Sequence, residues 1–271
     1  MLMKISKRHF RKIIDSYYRI HRRSFPWRRT KDPYRILVSE IMLQQTQAER
    51  VVPKYNLFLK RFPSVRTLAR ASLKDVLTLW QGLGYNRRAL SLKKLAETVL
   101  EEYSGNIPVE RDKLQNLPGI GPYTASAIRT FAWNFPEVFI ETNIRSVFIH
   151  FFFAGKNNIK DDQIIPRIKE TLDRKNPRRW YSALMDYGAY LKTTKPNPSR
   201  KSRHYIRQTP FNNSSRELRG KIIAALLKEG NASVSELSAR LSLPASRILM
   251  QLRSLKRDGL IAEESGRCRI S

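Results

Sequence analysis

The chain has 271 residues with 41% hydrophobic content, enough for one large domain or two smaller ones with cores of their own. Its 52 Lys and Arg against 23 Asp and Glu leave a formal charge of +29, which repels itself in a compact fold and points to a polyanionic partner, nucleic acid ahead of an anionic membrane surface. One cysteine, Cys268, excludes an internal disulfide and any zinc or iron–sulfur site built from cysteines, and the four histidines lack metal-ligand spacing.

In chain order, the first informative stretch is "DPYRILVSEIMLQQTQAERVVPKY", residues 32–55. Helical register there carries Leu37, Ile41 and, about a turn later, Gln44 and Gln45 past Glu40. A carboxylate beside an apolar stripe is costly unless exposed or functional. Glu40 is therefore either a surface group on an amphipathic helix or a group kept for chemistry. Gln44, Gln45 and Thr46 can read base edges or wedge into a duplex. "ASLKDVLTLWQGLG" puts Leu73, Val76, Leu77 and Trp80 on one helical face and stops at a glycine turn. In "GLGYNRRA", residues 82–89, Tyr85 stands beside Arg87 and Arg88, either a stacking ring with phosphate-binding charges or a turn with a solvated charge pair. "RALSLKKLAETVLEEYSGN" is a helix with Leu92, Leu95, Ala96, Val99 and Leu100 inward and Gly105 as its C-cap, since a strand would bury Lys93.

In "LQNLPGIGPYTASAI", residues 114–128, Leu114 and Leu117 close one helix and Thr124, Ala125 and Ile128 lie on the next. Gly119 and Gly121 between them permit a tight backbone and a close approach to another molecule. The free N–H groups that open the second helix can hold a phosphate. This pattern resembles the helix-hairpin-helix DNA-binding motif. Next, "PEVFIETNIRSVFIHFFF", residues 136–153, sets Glu141, Thr142 and Asn143 inside an otherwise apolar run. These are either a solvent-facing turn or a carboxylate positioned by apolar flanks.

From Lys192 to Pro210 there are six Lys or Arg, three prolines and no acid, which predicts an extended basic connector, not a helix. Beyond it come a helix in "RELRGKIIAALLKEG", a short one in "SVSELSARLSL" capped by Ser233 or Ser235, and a third over 244–257 with Pro at its start. A hairpin around Ser265-Gly266 ends the chain. That is the plan of a winged helix-turn-helix or of a generic helical appendage. Arg247, Arg253, Lys256 and Arg257 on the third helix would serve a groove-reading helix or a nonspecific clamp equally well.

"ILVSEIMLQQTQAERVVPKY", "LWQGLGYNRRA" and "LPGIGPYTASAI", in this order and spacing, resemble the helix-hairpin-helix base-excision DNA glycosylases, most closely the branch that removes adenine mispaired with guanine or 8-oxoguanine. The resemblance covers about residues 8–192. It implies an all-α, two-subdomain fold: a six-helix barrel over about 30–135 and a subdomain of both flanking segments, with a pocket between them. The expected domains are then a glycosylase domain over 1–191, a connector over 192–213 and a winged helix over 214–271. By this resemblance Glu40 is the acid that protonates adenine N7, helped by Arg28 and Tyr123 in the base pocket. Glu141 stands where the family has Asp, and Asn143 matches the Asn that orients carboxylate and water. Gln45 and Tyr85 match positions that fill or wedge the duplex; Gln44, Thr46, Arg87, Arg88, Gly119, Gly121 and Thr124 complete the expected DNA contacts. A lysine at position 123 would open the strand through a Schiff base, which a phenol cannot form, so the expected enzyme is monofunctional. A thymine- or uracil-removing branch also carries tyrosine there. A catalytically silent lesion binder is the reading from another class.

The chain departs from the family at three places. The four cysteines of the family's [4Fe–4S] cluster correspond to Lys192, Ser199, Ser202 and Gln208, none of them a thiolate, so no cofactor and no metal are expected. A winged helix stands in place of a domain that recognises 8-oxoguanine. Glu141 is one methylene longer than Asp, a reach of roughly 1.5 Å, and about 1 Å of misplacement can cost on the order of a hundredfold in rate. The expected partner is double-stranded DNA with a mismatched or damaged base, bound by a monomer. No apolar run reaches the roughly 18 residues of a membrane span, and "MLMKISKRHF" lacks a signal-peptide core. The expected location is the cytoplasm, nucleoid-associated if the source is prokaryotic.

Overall fold

The computed structural model describes residues 5–208 and 210–271. The helices in chain order are α1 (Lys7–His21), α2 (Pro33–Leu43), α3 (Ala48–Arg61), α4 (Val65–Ala69), α5 (Leu73–Trp80), α6 (Arg87–Glu102) and α7 (Arg111–Asn116). Then follow α8 (Pro122–Trp133), α9 (Thr142–Phe152), α10 (Asp161–Thr171), α11 (Pro177–Thr194), α12 (Ser215–Glu229), α13 (Val234–Leu241) and α14 (Ala245–Arg257). Three short strands, β1 (Asn231–Ser233), β2 (Ile261–Glu264) and β3 (Arg267–Ile270), complete the fold. The chain divides into two compact units, Met1–Ile36 with Ile120–Arg207, and Leu37–Gly119 with Gln208–Ser271.

The first unit is built on aromatic packing. The side chain of Ser6 accepts from His9 N and starts α1, and the i, i+4 pair Phe10 and Ile14 is fully buried. Phe10 meets Phe148, Phe151, Phe152 and Trp180 with ring centroids 5.0–5.9 Å apart, edge-on or tilted as aromatic quadrupoles prefer. Ile144, Phe148, Ile164, Ile168, Tyr181 and Leu184 extend this core across α9, α10 and α11. Asp186 has a fully buried side chain held by Arg23 Nε at 2.7 Å and by Arg28 Nη1 and Nη2 at 2.7 and 2.8 Å, and such pairing is what makes a buried carboxylate tolerable.

Gly188 decides how α11 meets α9. A Cβ at this position would lie 2.3 Å from the Asn143 carbonyl oxygen and 2.7 Å from Asn143 Cβ, so only glycine permits the approach. Gly188→Ala is expected to cost roughly 1–3 kcal/mol as an overpacking change, lowering the thermal midpoint by several degrees and displacing the first turn of α9. Gly220→Ala is the matching control, because nothing lies within 4 Å of its Cβ position. It should add up to about 1 kcal/mol of helix propensity and so raise the midpoint. Equal midpoints in the two variants would contradict the packing argument.

In the second unit, Leu73, Val76, Leu77 and Trp80 are all buried on one face of α5, as the spacing predicts. On α6, Leu92, Leu95, Ala96 and Val99 are buried while Leu100 is half-buried. Gly105, at φ +86°, turns the chain back so that its N–H reaches the Val99 carbonyl at 2.9 Å. The winged helix belongs to this unit. Ser233 caps α13 in a reciprocal box with Glu236. Ser265 and Gly266, at φ 49° and 73°, form the turn between β2 and β3. β1 is an addition to the sequence reading: it pairs antiparallel with β3 through Ala232 and Cys268, giving the sheet order β1-β3-β2. Its two buried partners are what make so short a strand hold.

The expected connector is corrected at both ends of its first half. α11 continues through Thr194, so Lys192 is helical, and Pro198–Lys201 forms a 3₁₀ turn. The remainder of the described connector is irregular.

Candidate functional site

In the second unit, Glu40 lies in α2 with 7% of its surface exposed, flanked by the buried Ser39 and Ile41. It is no surface glutamate. α2 ends at Leu43, so Gln44 and Gln45 are not in helical register as the pattern predicts. Gln45 instead takes φ 54°, and Tyr85 takes φ 48°. Left-handed conformations of side chains this large cost of order 1–3 kcal/mol each and concentrate where a side chain must be aimed.

Arg88 explains how that turn is held, and corrects its expected DNA contact. Its Nη1 donates to the carbonyls of Ile41 and Met42 at 3.0 and 2.9 Å, and its Nη2 to Thr46 Oγ1, Leu83 O and Gly84 O at 3.0–3.1 Å. The guanidinium satisfies carbonyls that the end of α2 leaves without helical partners. Burial pulls its pKa down to about 10, so it remains charged at neutral pH. It is a staple, with no terminal nitrogen left for phosphate. Thr46 is tied into the same turn. Arg87 is the exposed partner of the pair, its side chain 73% accessible and 3.7 Å from Asp258.

Gln45 and Tyr85 line a cleft of about 440 Å³ together with Gln44, Arg87, Arg216 and Asp258. Arg216, in the first turn of α12, donates to the Tyr85 hydroxyl at 3.0 Å, and Gln208 Nε2 donates to the same hydroxyl at 2.9 Å and to Gln45 Oε1 at 3.2 Å. Sequence reasoning missed Arg216: it is one arginine among many, and no local pattern reveals that it meets a tyrosine 131 residues away.

The hairpin between α7 and α8 takes the expected form. Gly119 has φ +81°, and a Cβ there would come within 2.9 Å of Ser91 Cβ. Gly121 is the N-cap of α8 and Pro122 occupies its first turn. Thr124, however, is 4% exposed, so its side chain belongs to the interior and not to a DNA-facing surface.

In the first unit, Phe139 stacks on Tyr181 at 3.9 Å and meets the edge of the Tyr123 ring at 5.7 Å. Two residues on, Glu141 is the N-cap of α9. Its Oε1 accepts from the Asn143 and Ile144 N–H groups, both at 2.8 Å, and its Oε2 accepts from Asn143 Nδ2 at 3.2 Å. The polar trio is thus a helix start, and the carboxylate is anchored by the helix it opens. Arg28, expected in a base pocket, has its terminal nitrogens engaged by Asp186 and by the Arg23 carbonyl at 2.9 Å. It acts as part of the buried framework, and a base would have to meet it with those partners in place.

The positions of the family's cluster cysteines do not fit an iron–sulfur group. Ser199 and Ser146 share a hydrogen bond of 2.6 Å, Ser199 Oγ also donates to the Thr142 carbonyl at 3.0 Å, and Lys192 Nζ donates to Asn143 Oδ1 at 2.8 Å. Ser202 is 7% exposed and Gln208 serves the Tyr85 cleft. These are hydroxyls, an amine and an amide already paired with protein. Among the described residues no cluster of His, Cys, Asp or Glu could hold a metal ion.

Residues 38–173 match the family described as HhH-GPD superfamily base excision DNA repair protein, and residues 215–262 match the winged helix-turn-helix DNA-binding family. The chain belongs to the HhH-GPD superfamily of base excision repair proteins. It is 35% identical over 190 residues to an adenine DNA glycosylase of Buchnera aphidicola subsp. Baizongia pistaciae, covering 70% of this chain and 54% of that protein. It is 39% identical over 137 residues to a thymine/uracil-DNA glycosylase of Pyrobaculum aerophilum, covering 50% of this chain and 60% of that protein. Among solved structures, a thermostable thymine-DNA glycosylase superimposes with a TM-score of 0.64 at 26% identity, covering 72% of this chain and 91% of that one. The chain spans about half the length of the curated adenine glycosylases it matches.

Proposed function

We propose that the protein is a monofunctional DNA glycosylase that flips adenine, mispaired with guanine or 8-oxoguanine, out of a duplex and hydrolyses its N-glycosidic bond. The observation that carries this reading is Glu40, a carboxyl group 7% exposed inside the stretch that matches the base-excision family. Adenine is a poor leaving group until it is protonated, and its departure leaves positive charge on the sugar. One carboxyl acting as acid and one carboxylate facing the developing cation meet these two demands. Glu40 takes the first role. Glu141, held by its own helix and by Asn143, takes the second. Tyr123 at the start of α8 cannot form a Schiff base, so the product is an intact strand with an abasic site.

Gln45 and Tyr85 are the residues aimed into the duplex, which accounts for their left-handed backbones. Arg87 and Arg216 bring positive charge to the same cleft, and the winged helix grips DNA alongside. A monomer acting on chromosomal DNA in the cytoplasm suits a basic chain of this kind.

A second reading, removal of thymine or uracil, is favoured by the likeness to the thymine/uracil-DNA glycosylase and to the thymine-DNA glycosylase structure. Duplexes carrying A:8-oxoG, A:G, T:G, U:G and hypoxanthine, assayed for abasic sites with and without alkali, separate the two. Adenine release that needs alkali for strand cleavage is the expected result. Release from T:G or U:G alone selects the second reading, and tight binding without product from any duplex defeats both.

A further inference from the structure

Three side chains of the first unit form a directed chain of hydrogen bonds. Lys192, in the last turn of α11, donates from Nζ to Asn143 Oδ1 at 2.8 Å. Asn143 Nδ2 donates to Glu141 Oε2 at 3.2 Å, and the Asn143 N–H donates to Glu141 Oε1 at 2.8 Å. The two ends of an amide are nearly the same shape, so an asparagine held on one side only can present either oxygen or nitrogen. A lysine ammonium has donors and no acceptor. The carboxylate only accepts, so Nδ2 turns to Glu141, and the ammonium on Oδ1 holds the amide from its other end.

Several features show that this geometry is built. Lys192 is half-buried although it sits near a helix end, where a lysine would ordinarily extend into water. Burial pulls its ammonium pKa down, the Glu141 carboxylate opposes that shift, and Arg145 and Arg23 reinforce it. Arg145 is itself neutralised by Asp161, 2.7 Å away. Gly188, one turn before Lys192 on α11, removes the side chain that would keep α11 from Asn143. Ser199, from the 3₁₀ turn that follows, fastens the Thr142 carbonyl in the same first turn of α9.

We propose that Lys192 is a positioning residue: acting through Asn143, it fixes the Glu141 carboxylate in the orientation that faces the reacting sugar. The end of α11 and the 3₁₀ turn after it, at positions where the family carries cluster cysteines, thereby brace the site with an amine and a serine. The hydrogen-bond chain stands on geometry alone, and its consequence for rate rests on the glycosylase reading above.

Lys192→Met keeps the aliphatic stem and removes the donor, whereas Lys192→Arg keeps a donor. In protein labelled with ¹⁵N-asparagine, the Asn143 side-chain amide should exchange slowly in the parent and in Lys192→Arg, and faster, with shifted signals, in Lys192→Met. In single turnover on the duplex the parent processes, Lys192→Met should be slower by roughly 10- to 100-fold, with duplex affinity within twofold and Lys192→Arg recovering most of the rate. Asn143→Ala should abolish the difference, the double variant being no slower than Asn143→Ala alone. An unchanged amide signal in a folded Lys192→Met overturns the proposal, as does an additive double variant. A parent that releases no base from any duplex defeats the glycosylase reading and leaves the amide exchange to decide the hydrogen-bond chain.

Discussion

Glu40→Gln is expected to slow base release by on the order of 10²–10⁴-fold, the usual contribution of a positioned general acid, while duplex affinity changes by no more than a few-fold. The substitution keeps volume and hydrogen-bonding capacity at a position that is 7% exposed, so the fold should survive, which a thermal melt will verify. On the proposed reading, it removes only the proton that the leaving base must take up. Because protonation is needed for departure and not for recognition, the loss should appear in the single-turnover rate and leave the dissociation constant of an uncleaved duplex alone. A folded variant turning over at the parental rate would remove Glu40 from the chemistry, and with it the main support for the proposed activity.

How much of this was legible beforehand depended on how local the cause was. α5 was readable because Leu73, Val76, Leu77 and Trp80 fall on one face within a single helix. α13 was readable because a serine, Ser233 or Ser235, opens its short pattern, and the structure settles the cap on Ser233. β1 was not, because Asn231, Ala232 and Ser233 have no strand pattern and exist as a strand only through pairing with β3. Arg88 was misassigned for a related reason. An arginine beside a tyrosine looks like a phosphate contact until the end of α2, more than forty residues away, supplies carbonyls that need a donor. Gln45 was placed one helical step too far, since nothing in "LQQTQ" itself halts a helix. Glu141 drew notice as a carboxylate in an apolar run, and the family resemblance gave it its role. That it caps its own helix was hidden because glutamate is not among the preferred N-cap residues. Lys192 could not be read at all: its destination lies 49 residues away.

The cap explains what the longer side chain achieves, and sets the sharpest test of the site. From the N-cap position, Glu141 places one oxygen against two backbone N–H groups and still offers the other to Asn143 Nδ2. Glu141→Gln retains an acceptor for the helix but removes the charge that would stabilise the developing sugar cation. Release should fall by on the order of 10²–10³-fold, the scale of a lost preorganised electrostatic contact, with the thermal midpoint little changed. Glu141→Asp should be at least as good a cap and keeps the charge, but draws the carboxylate back by one methylene from the amide that Lys192 aims at it. A loss of about tenfold is expected, smaller than for the charge removal, as a displacement of about 1 Å can produce even larger effects. The order parent, Asp, Gln would mean that length and charge are both matched to Asn143 and Lys192. An Asp variant as fast as the parent would mean that the site does not depend on the extra methylene, and a Gln variant at full rate would mean that this carboxylate serves the helix alone.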